Sequence, residues 1–508
     1  MNESKSALPT GWTVCRLEEI AELNPKYNQQ IKNETEVSFI PMKVVEEESG
    51  RIDLSITRKY QEVRKGYTSI IDGDIIFAKI TPCMENGKIA IANNLKNKIA
   101  FGSTEFHVVR LVPYLPKKYY FFLLVREELR KDAQLKMTGS AGQLRVPVNY
   151  LKEYELPLPP LPEQHRIVAK LEELFTKLDV SVTELKKAKA QIKRYRQSVL
   201  KHAFDGKLTE QWRKQTSNVK GEKAEELLVK IKEERKKALG KKYKELPPVD
   251  TTNLPQLPDG WVWIKLGELC AVITKGASPK WQGFNYVEDE EQILFVTSEN
   301  VRNNFLDVSS PKYLELAFNL KQKNSSLRIG DVLLNIVGAS IGRATVYSIG
   351  KVANINQAVS LIRLIDVEYA NYISLYLNSE EAQKFYNFRK VDFARANLSL
   401  EDVNNIPIPF TITEEKFQII QEIERHFSVA DETEKIIDQS LKQAERLRQS
   451  ILKDAFSGKL IPQDPSDEPA EKLLERIKAE REKISKTKSN HQALPDGSPK
   501  ENKKRRIK

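Results

Sequence analysis

Two groups of amide, hydroxyl and cationic side chains gather beside glycines in this chain. Lys79, Thr81, Asn86 and Lys88 lie around Gly87, and Gln143 and Arg145 follow the turn Gly139-Ser140-Ala141-Gly142. Ser340, Arg343, Asn354, Asn356, Gln357, Arg395 and Asn397 form the second group. Such side chains offer paired donors and acceptors: arginine or lysine suits a guanine edge, asparagine or glutamine an adenine edge. A neighbouring glycine permits close approach of backbone to a phosphate. Any single member fits a solvated or turn-stabilising role at least as well. The two sets together suggest recognition.

Covalent chemistry finds less support. No Asn-Pro-Pro-aromatic or Asp-Pro-Pro-aromatic word exists to hold a flipped adenine, and Leu246-Pro247-Pro248-Val249 lacks the amide or carboxylate that such a pocket uses. There is no GxxxxGK[ST] phosphate loop, since Ser457-Gly458-Lys459-Leu460 lacks the upstream glycine and the hydroxyl. Glu414-Glu415-Lys416 resembles a nuclease acid–lysine pair, but it opens a helical pattern, where acids favour the N-terminal dipole. The five histidines have no metal spacing, and Cys15, Cys83 and Cys270 fit neither a disulfide framework nor a zinc site. The expectation is a chain without catalytic residues, metal or cofactor of its own.

A net charge of +12 favours a polyanionic partner, nucleic acid first, because lysines and arginines displace counterions from phosphates. Part of that excess belongs to solvated helix faces and to the basic run Glu501 to Lys508. With 508 residues, several domains are expected. The start, MNESKSALPT, has no signal pattern, and the apolar run near Tyr119 to Val125 is too short to span a bilayer. A cytoplasmic location is expected.

The positioning elements come twice. RQSVLKHAFDGKL from Arg196 returns as RQSILKDAFSGKL from Arg448; Leu8-Pro9 with Gly11-Trp12 returns as Leu257-Pro258 with Gly260-Trp261; AEELLVKIKEERKK from Ala224 returns as AEKLLERIKAEREK from Ala470. Each half opens with β-type runs such as Gly73-Asp74-Ile75-Ile76-Phe77 and Gly330-Asp331-Val332-Leu333-Leu334. Each then reaches prolines, Leu156 to Pro160 and Ile406 to Pro409, after which a helix must start afresh.

From Ile167, apolar residues fall at Leu171, Leu174, Leu178, Val182, Leu185, Ile192, Tyr195, Val199 and Ala203; from Ile423 they fall at Phe427, Ala430, Ile437, Leu441, Ala444, Leu447, Ile451 and Ala455. These alternating steps predict two amphipathic helices of roughly 40 residues, about 60 Å long, packed as an antiparallel pair. Gly206 and Gly458 are placed to end them. A shorter helix follows in each half, the first over Ala224 to Lys237. A third domain-opening word, Leu494-Pro495-Asp496-Gly497, suggests a circular order in which the C-terminal segments close toward the N-terminal ones.

This order of parts resembles the specificity subunit of type I restriction-modification systems. The likeness covers nearly the whole chain. It rests on Leu8-Pro9-Thr10-Gly11-Trp12 and Leu257-Pro258-Asp259-Gly260-Trp261, on Glu163-Gln164-His165-Arg166-Ile167 after the prolines, on Gly206-Lys207-Leu208-Thr209-Glu210-Gln211-Trp212-Arg213, and on the closing helix before a basic tail. The resemblance implies two target recognition domains, each reading half of a bipartite double-stranded DNA sequence and joined by helical spacers. It also implies two modification subunits that use S-adenosylmethionine to methylate adenine N6, and two restriction subunits that translocate and cleave DNA with ATP and Mg.

The expected fold class is α+β: two mixed α/β domains in tandem, separated by long helices that pair as an antiparallel coiled coil. The expected order is a first recognition domain over 1–162, a spacer helix over 163–208, and a linker with a charged helix over 209–256. A second recognition domain over 257–412, a second spacer helix over 413–460, and a helix with basic tail over 461–508 complete it. Phe77 to Lys88 and Gly102 to Phe106 look like a recurring class of recognition domain, whereas Ile336 to Arg343 and Asn354 to Gln357 stand at the corresponding places in the second. An asymmetric target follows. The competing expectations are a coiled-coil protein-binding scaffold, a stand-alone modifying enzyme, and a specificity subunit serving methylation only.

Overall fold

The computed structural model describes residues 8–27, 30–140, 142–216, 223–392 and 397–492. The chain divides into two compact units, Met1–Leu185 with Gln439–Lys508, and Lys186–Asp438. The first unit is thus discontinuous in sequence, and the division falls inside both long helices. Among the described residues, no helix is long and apolar enough to cross a membrane.

In the first unit, the strand Thr13–Arg16 after Trp12 pairs antiparallel with the proline-spaced strand Glu155–Leu158. Two four-stranded sheets lie between them in sequence. One runs Ala21–Leu23, Phe106–Leu111, Ile75–Ala78, Ile89–Ile91, all antiparallel; the other runs Thr57–Lys59, Glu36–Ile40, Ile99–Gly102, Thr68–Ile71. Glu36–Ile40 and Ile99–Gly102 pair in parallel.

The second unit repeats this plan. Val262–Lys265 pairs with Pro407–Phe410, a four-stranded sheet runs Cys270–Lys275, Val359–Leu364, Val332–Asn335, Ala344–Val346, and a smaller sheet holds Ile293–Val296 parallel to Ala353–Ile355. A carboxylate anchors the central strand in each. Asp74 takes the backbone N–H of Ile71 (2.8 Å) and both Nε and Nη2 of Arg110 (2.8 and 2.7 Å). Asp331 does the same with the N–H of Arg328 (2.7 Å) and with Arg363 (2.8 and 2.6 Å). Both carboxylates are buried, where an ion pair holds only if every oxygen finds donors, as these do.

The long helices run Leu161–Phe204 and Thr413–Phe456, each 44 residues and about 66 Å at 1.5 Å per residue. Within the second unit they pair antiparallel: Lys189 meets Asp438 at 2.6 Å, while Arg196 meets Glu434 at 2.8 Å and Asp431 at 2.5 Å, so one number rises as the other falls. Within the first unit, Arg448 bonds Asp179 and lies 4.5 Å from the Phe175 ring centroid. The apolar stripe is narrower than its pattern. Tyr195 (42% exposed) and Leu447 (48%) face outward, and Phe175 is buried instead. Tyr195 reaches His426 Nδ1 at 2.7 Å, which keeps its hydroxyl at the wet edge of the seam.

Gly206 and Gly458 follow the helix ends with φ +71° and +72°, the left-handed turn that glycine takes at little cost. A side chain at Gly206 would strike Pro258, and one at Gly458 would strike Pro9. Helix ends and domain openings are therefore in contact within each unit. In the first unit the C-terminal segment closes on the N-terminal one, as the circular order anticipates. Ala470 N–H donates to Gly11 O at 2.9 Å, Lys478 pairs with Glu19 at 2.9 Å, and Leu473 and Ile477 complete a core with Trp12, Leu17 and Ile20. The Leu494–Gly497 word and the Glu501–Lys508 tail lie outside the described residues.

Candidate nucleic-acid interface

Each domain opens on a buried tryptophan held by a buried glutamate at the start of a long helix. Trp12 Nε1 donates to Glu163 at 3.0 Å and Trp261 Nε1 donates to Glu415 at 2.8 Å. Glu415 also accepts from the hydroxyls of Thr209 (2.7 Å) and Thr411 (2.9 Å) and from Arg213. The Glu414-Glu415-Lys416 word is thus architectural, with Lys416 fully buried over the Tyr369 ring.

Several of the candidate side chains sit where the strands Ile75–Ala78 and Val332–Asn335 end. In the first domain, Lys79 N–H donates to Glu105 O (2.9 Å), Lys79 O accepts from Val146 N–H (2.8 Å), and Ile80 forms a bridge with Arg145. In the second, Ile336 N–H donates to Ala358 O (2.9 Å), Ile336 O accepts from Leu398 N–H (2.9 Å), and Val337 forms a bridge with Asn397. The loops also close alike, with Ala78 N–H on Lys88 O (3.0 Å) and Asn335 N–H on Arg343 O (2.9 Å). The same main-chain frame therefore aligns Lys79 with Ile336, Lys88 with Arg343, Glu105 with Ala358 and Arg145 with Asn397.

Within this frame Lys79, Thr81, Gln143 and Arg145 come together. Thr81 N–H donates to Leu144 O at 3.0 Å, and its hydroxyl donates to Glu85 at 2.9 Å. Arg145 grips Glu105 through Nε and Nη2 (2.9 and 3.0 Å), and Nη1 donates to Gln143 O at 3.0 Å. That guanidinium holds the Glu105 carboxyl below the usual carboxylate range. Asn86 and Lys88 lie apart, Asn86 on Glu47 (2.8 Å) and Lys88 on the carbonyls of Val45 (3.0 Å) and Met42 (3.4 Å). Lys88 is therefore tied inward rather than free as a surface donor.

In the second domain Ser340, Arg343, Asn356, Gln357 and Asn397 converge on the matching strand end. The Ser340 hydroxyl donates to Val337 O (3.4 Å), and Asn356 caps its own turn through Ala358 N–H (3.1 Å). Arg343 is half-buried without a side-chain partner among the described residues, while Gln357 and Asn397 are exposed. Asn354 corrects the expectation. It is fully buried, its amide donates to Asn319 (2.6 Å) and Gln322 O (3.0 Å), and it braces the interior instead of facing a ligand. Arg395 lies outside the described residues.

Three residues of the site escaped the sequence reading. Glu105 and Glu85 are acceptors, which a pattern of donor side chains does not mark, and Glu85 Oε2 is buried with no partner among the described residues. His107 lies behind the frame, with Nε2 on Val146 O (2.8 Å) and Nδ1 facing Asn24 Nδ2 (3.1 Å). Burial pushes its pKa below the ordinary histidine value, so the neutral ring donates to one neighbour and accepts from the other. The three thiols are free and pack as apolar side chains. Cys15 and Cys270 are buried and Cys83 half-buried, and burial pushes Cys15 up to about 12.

The duplicated frame has clear relatives. Residues 9–192 and 258–443 match the type I restriction modification DNA specificity domain, which covers more than half of the chain. This chain belongs to that family, the DNA-recognition rather than the catalytic component of type I restriction-modification systems. It is 31% identical to the EcoEI specificity subunit of Escherichia coli, over 89% of this chain and 84% of that one. It is 35% identical to the EcoAI specificity subunit of Escherichia coli, over 53% and 52%. A solved chain described under complex assembly and conformational transition of the type I R-M system aligns with a TM-score of 0.61 and 21% identity, over 90% of this chain and 100% of that one. That likeness supports the shared fold.

Proposed function

We propose that this chain reads a bipartite, asymmetric double-stranded DNA target, one half-site per domain. Its long helices would fix the distance between the halves, and it would direct adenine-N6 methylation and ATP-dependent cleavage by partner subunits. The observation that carries this reading is the repeated main-chain frame with unlike side chains: one scaffold, presented twice, with two recognition surfaces. Two modification and two restriction subunits are the proposed partners, working with this chain in the cytoplasm. S-adenosylmethionine, ATP and Mg belong to those partners in this proposal.

A helix of about 66 Å exceeds the 34 to 36 Å that separates half-sites one DNA turn apart, so the helices are long enough to act as a ruler. Deleting seven residues within Val182 to Ala203 changes or abolishes the accepted spacer; an unchanged target defeats the ruler. Replacing the second domain alone changes one half-site only.

The direct test is a genome-wide map of N6-methyladenine with the chain present and deleted. Loss of one bipartite, asymmetric motif supports the reading. An unchanged map in cells where the methylating partner is active overturns it. The scaffold alternative predicts no salt-dependent affinity for DNA at all.

A further inference from the structure

We propose that Arg145 reads a guanine in the first half-site, that Glu105 fixes its guanidinium for this purpose, and that Asn397 takes the equivalent reading position in the second domain and reads an adenine. This rests on the DNA-reading function proposed above and assigns its determinants.

The position comes from the frame. Arg145 and Asn397 are the residues bridged to Ile80 and Val337, each two residues beyond the end of the central strand. Both precede the residue whose N–H locks that strand end, Val146 or Leu398. The backbone therefore delivers two different side chains from one place, as expected where one scaffold reads two sequences.

The chemistry comes from counting donors. Guanidinium has five N–H groups. Glu105 takes one from Nε and one from Nη2, and Gln143 O takes one from Nη1. Two remain, one on each terminal nitrogen. The edge bearing Nε and Nη2 is filled by the carboxylate, and with the Gln143 carbonyl on the Cδ-side hydrogen of Nη1 the proposed reading pair is the Nη1–Nη2 edge, the fork that fits O6 and N7 of guanine. The side chain is 39% exposed and Glu105 25% exposed, so the pair is held at the surface rather than sealed within the core.

Glu105 also decides between base and phosphate. A phosphate contact through a guanidinium gains most from its net positive charge, which the carboxylate offsets while adding repulsion toward a second anion. A base edge is neutral and loses nothing. Ala358 stands at the position of Glu105, and among the described residues Asn397 has no carboxylate partner; an exposed amide offers one donor and one acceptor, the complement of adenine N6 and N7.

The test is selection from a randomised duplex pool by the full-length chain, with R145K, E105Q and N397D beside the wild type at several salt concentrations. R145K keeps the charge and loses the fork. It is expected to lower guanine preference at one first-half position by roughly 10- to 100-fold, with every other position and the salt slope unchanged. E105Q weakens the same position and no other, which a merely structural carboxylate would not do. N397D removes adenine preference at one second-half position. Should R145K lower the unfolding midpoint, N397D at its exposed site still decides the matched-position claim. An unchanged motif in R145K or N397D overturns the proposal, as does a uniform loss of affinity with a shallower salt slope, which marks a phosphate contact. A wild-type chain that selects no motif defeats the parent reading instead, and so the two failures are told apart.

Discussion

At the strand end of the first domain stand Lys79, Glu105 and Arg145; at the same main-chain positions of the second stand Ile336, Ala358 and Asn397. A few residues away the two domains agree to the atom, with Asp74 on Arg110 and Asp331 on Arg363 through the same pair of nitrogens. The buried anchor is kept and the rim is exchanged. Changing an interior ion pair leaves a charge stranded, whereas changing a rim side chain costs little stability and changes what is recognised.

The helix starts test how far the agreement extends. Glu415 answers Trp261, Thr209, Thr411 and Arg213, while Glu163 answers Trp12 and, at 3.4 Å, Gln463. E415A is expected to cost about 3–5 kcal/mol and E163A about 1–3 kcal/mol, since each orphaned buried donor adds its own desolvation penalty. Chemical denaturation followed by hydrogen exchange in each unit measures both. Equal costs would break the contrast.

A smaller difference lies one residue on. Gln164 is buried and satisfied by Tyr120 and Pro159 O, but Lys416 Nζ is buried without a hydrogen-bond partner among the described residues, and burial holds its pKa below the ordinary lysine range. K416M should raise the stability of the second unit by about 1 kcal/mol, because it removes a buried charge that its nearest acid, Glu368 at 3.7 Å, only partly compensates. A clear loss of stability would show that the contact with the Tyr369 ring outweighs desolvation.

The smallest effect is one of pH. His107 pairs across from Phe77 as Ser360 does from Leu334, so only the first unit titrates at this position. With its folded pKa depressed, His107 contributes stability that is present above the unfolded value of about 6.5 and is lost as the pH falls toward and through the folded one. The stability of the first unit should fall from about pH 6.5 downward, and H107Q should flatten that slope. A slope retained in H107Q would move the titration elsewhere.

Much of this was legible in the sequence because it is local. Helix periods, terminal glycines and the doubled words announced two long helices and two domains, and the 44-residue helices meet that expectation. What escaped was long-range. Glu105 meets Arg145 from 40 residues away, and composition gives no hint that a carboxylate would orient a base-reading arginine. Asn354 looked like a surface amide because polarity suggests exposure, yet a sheet edge needed its donors inside. Tyr195 and Leu447 fit the helical step but fall at the margins of the seam, since a period marks a face without fixing its width.

The discontinuity of the first unit sets an order of assembly during synthesis. Residues 1–185 leave the ribosome long before Leu452, Ala455, Phe456, Leu473 and Ile477, which complete the core around Trp12 and Ile20. The intervening unit, 186–438, is contiguous and has all its parts as soon as it emerges. The half made first is therefore finished last, and a chain that stops before residue 439 holds a whole second domain beside an open first one.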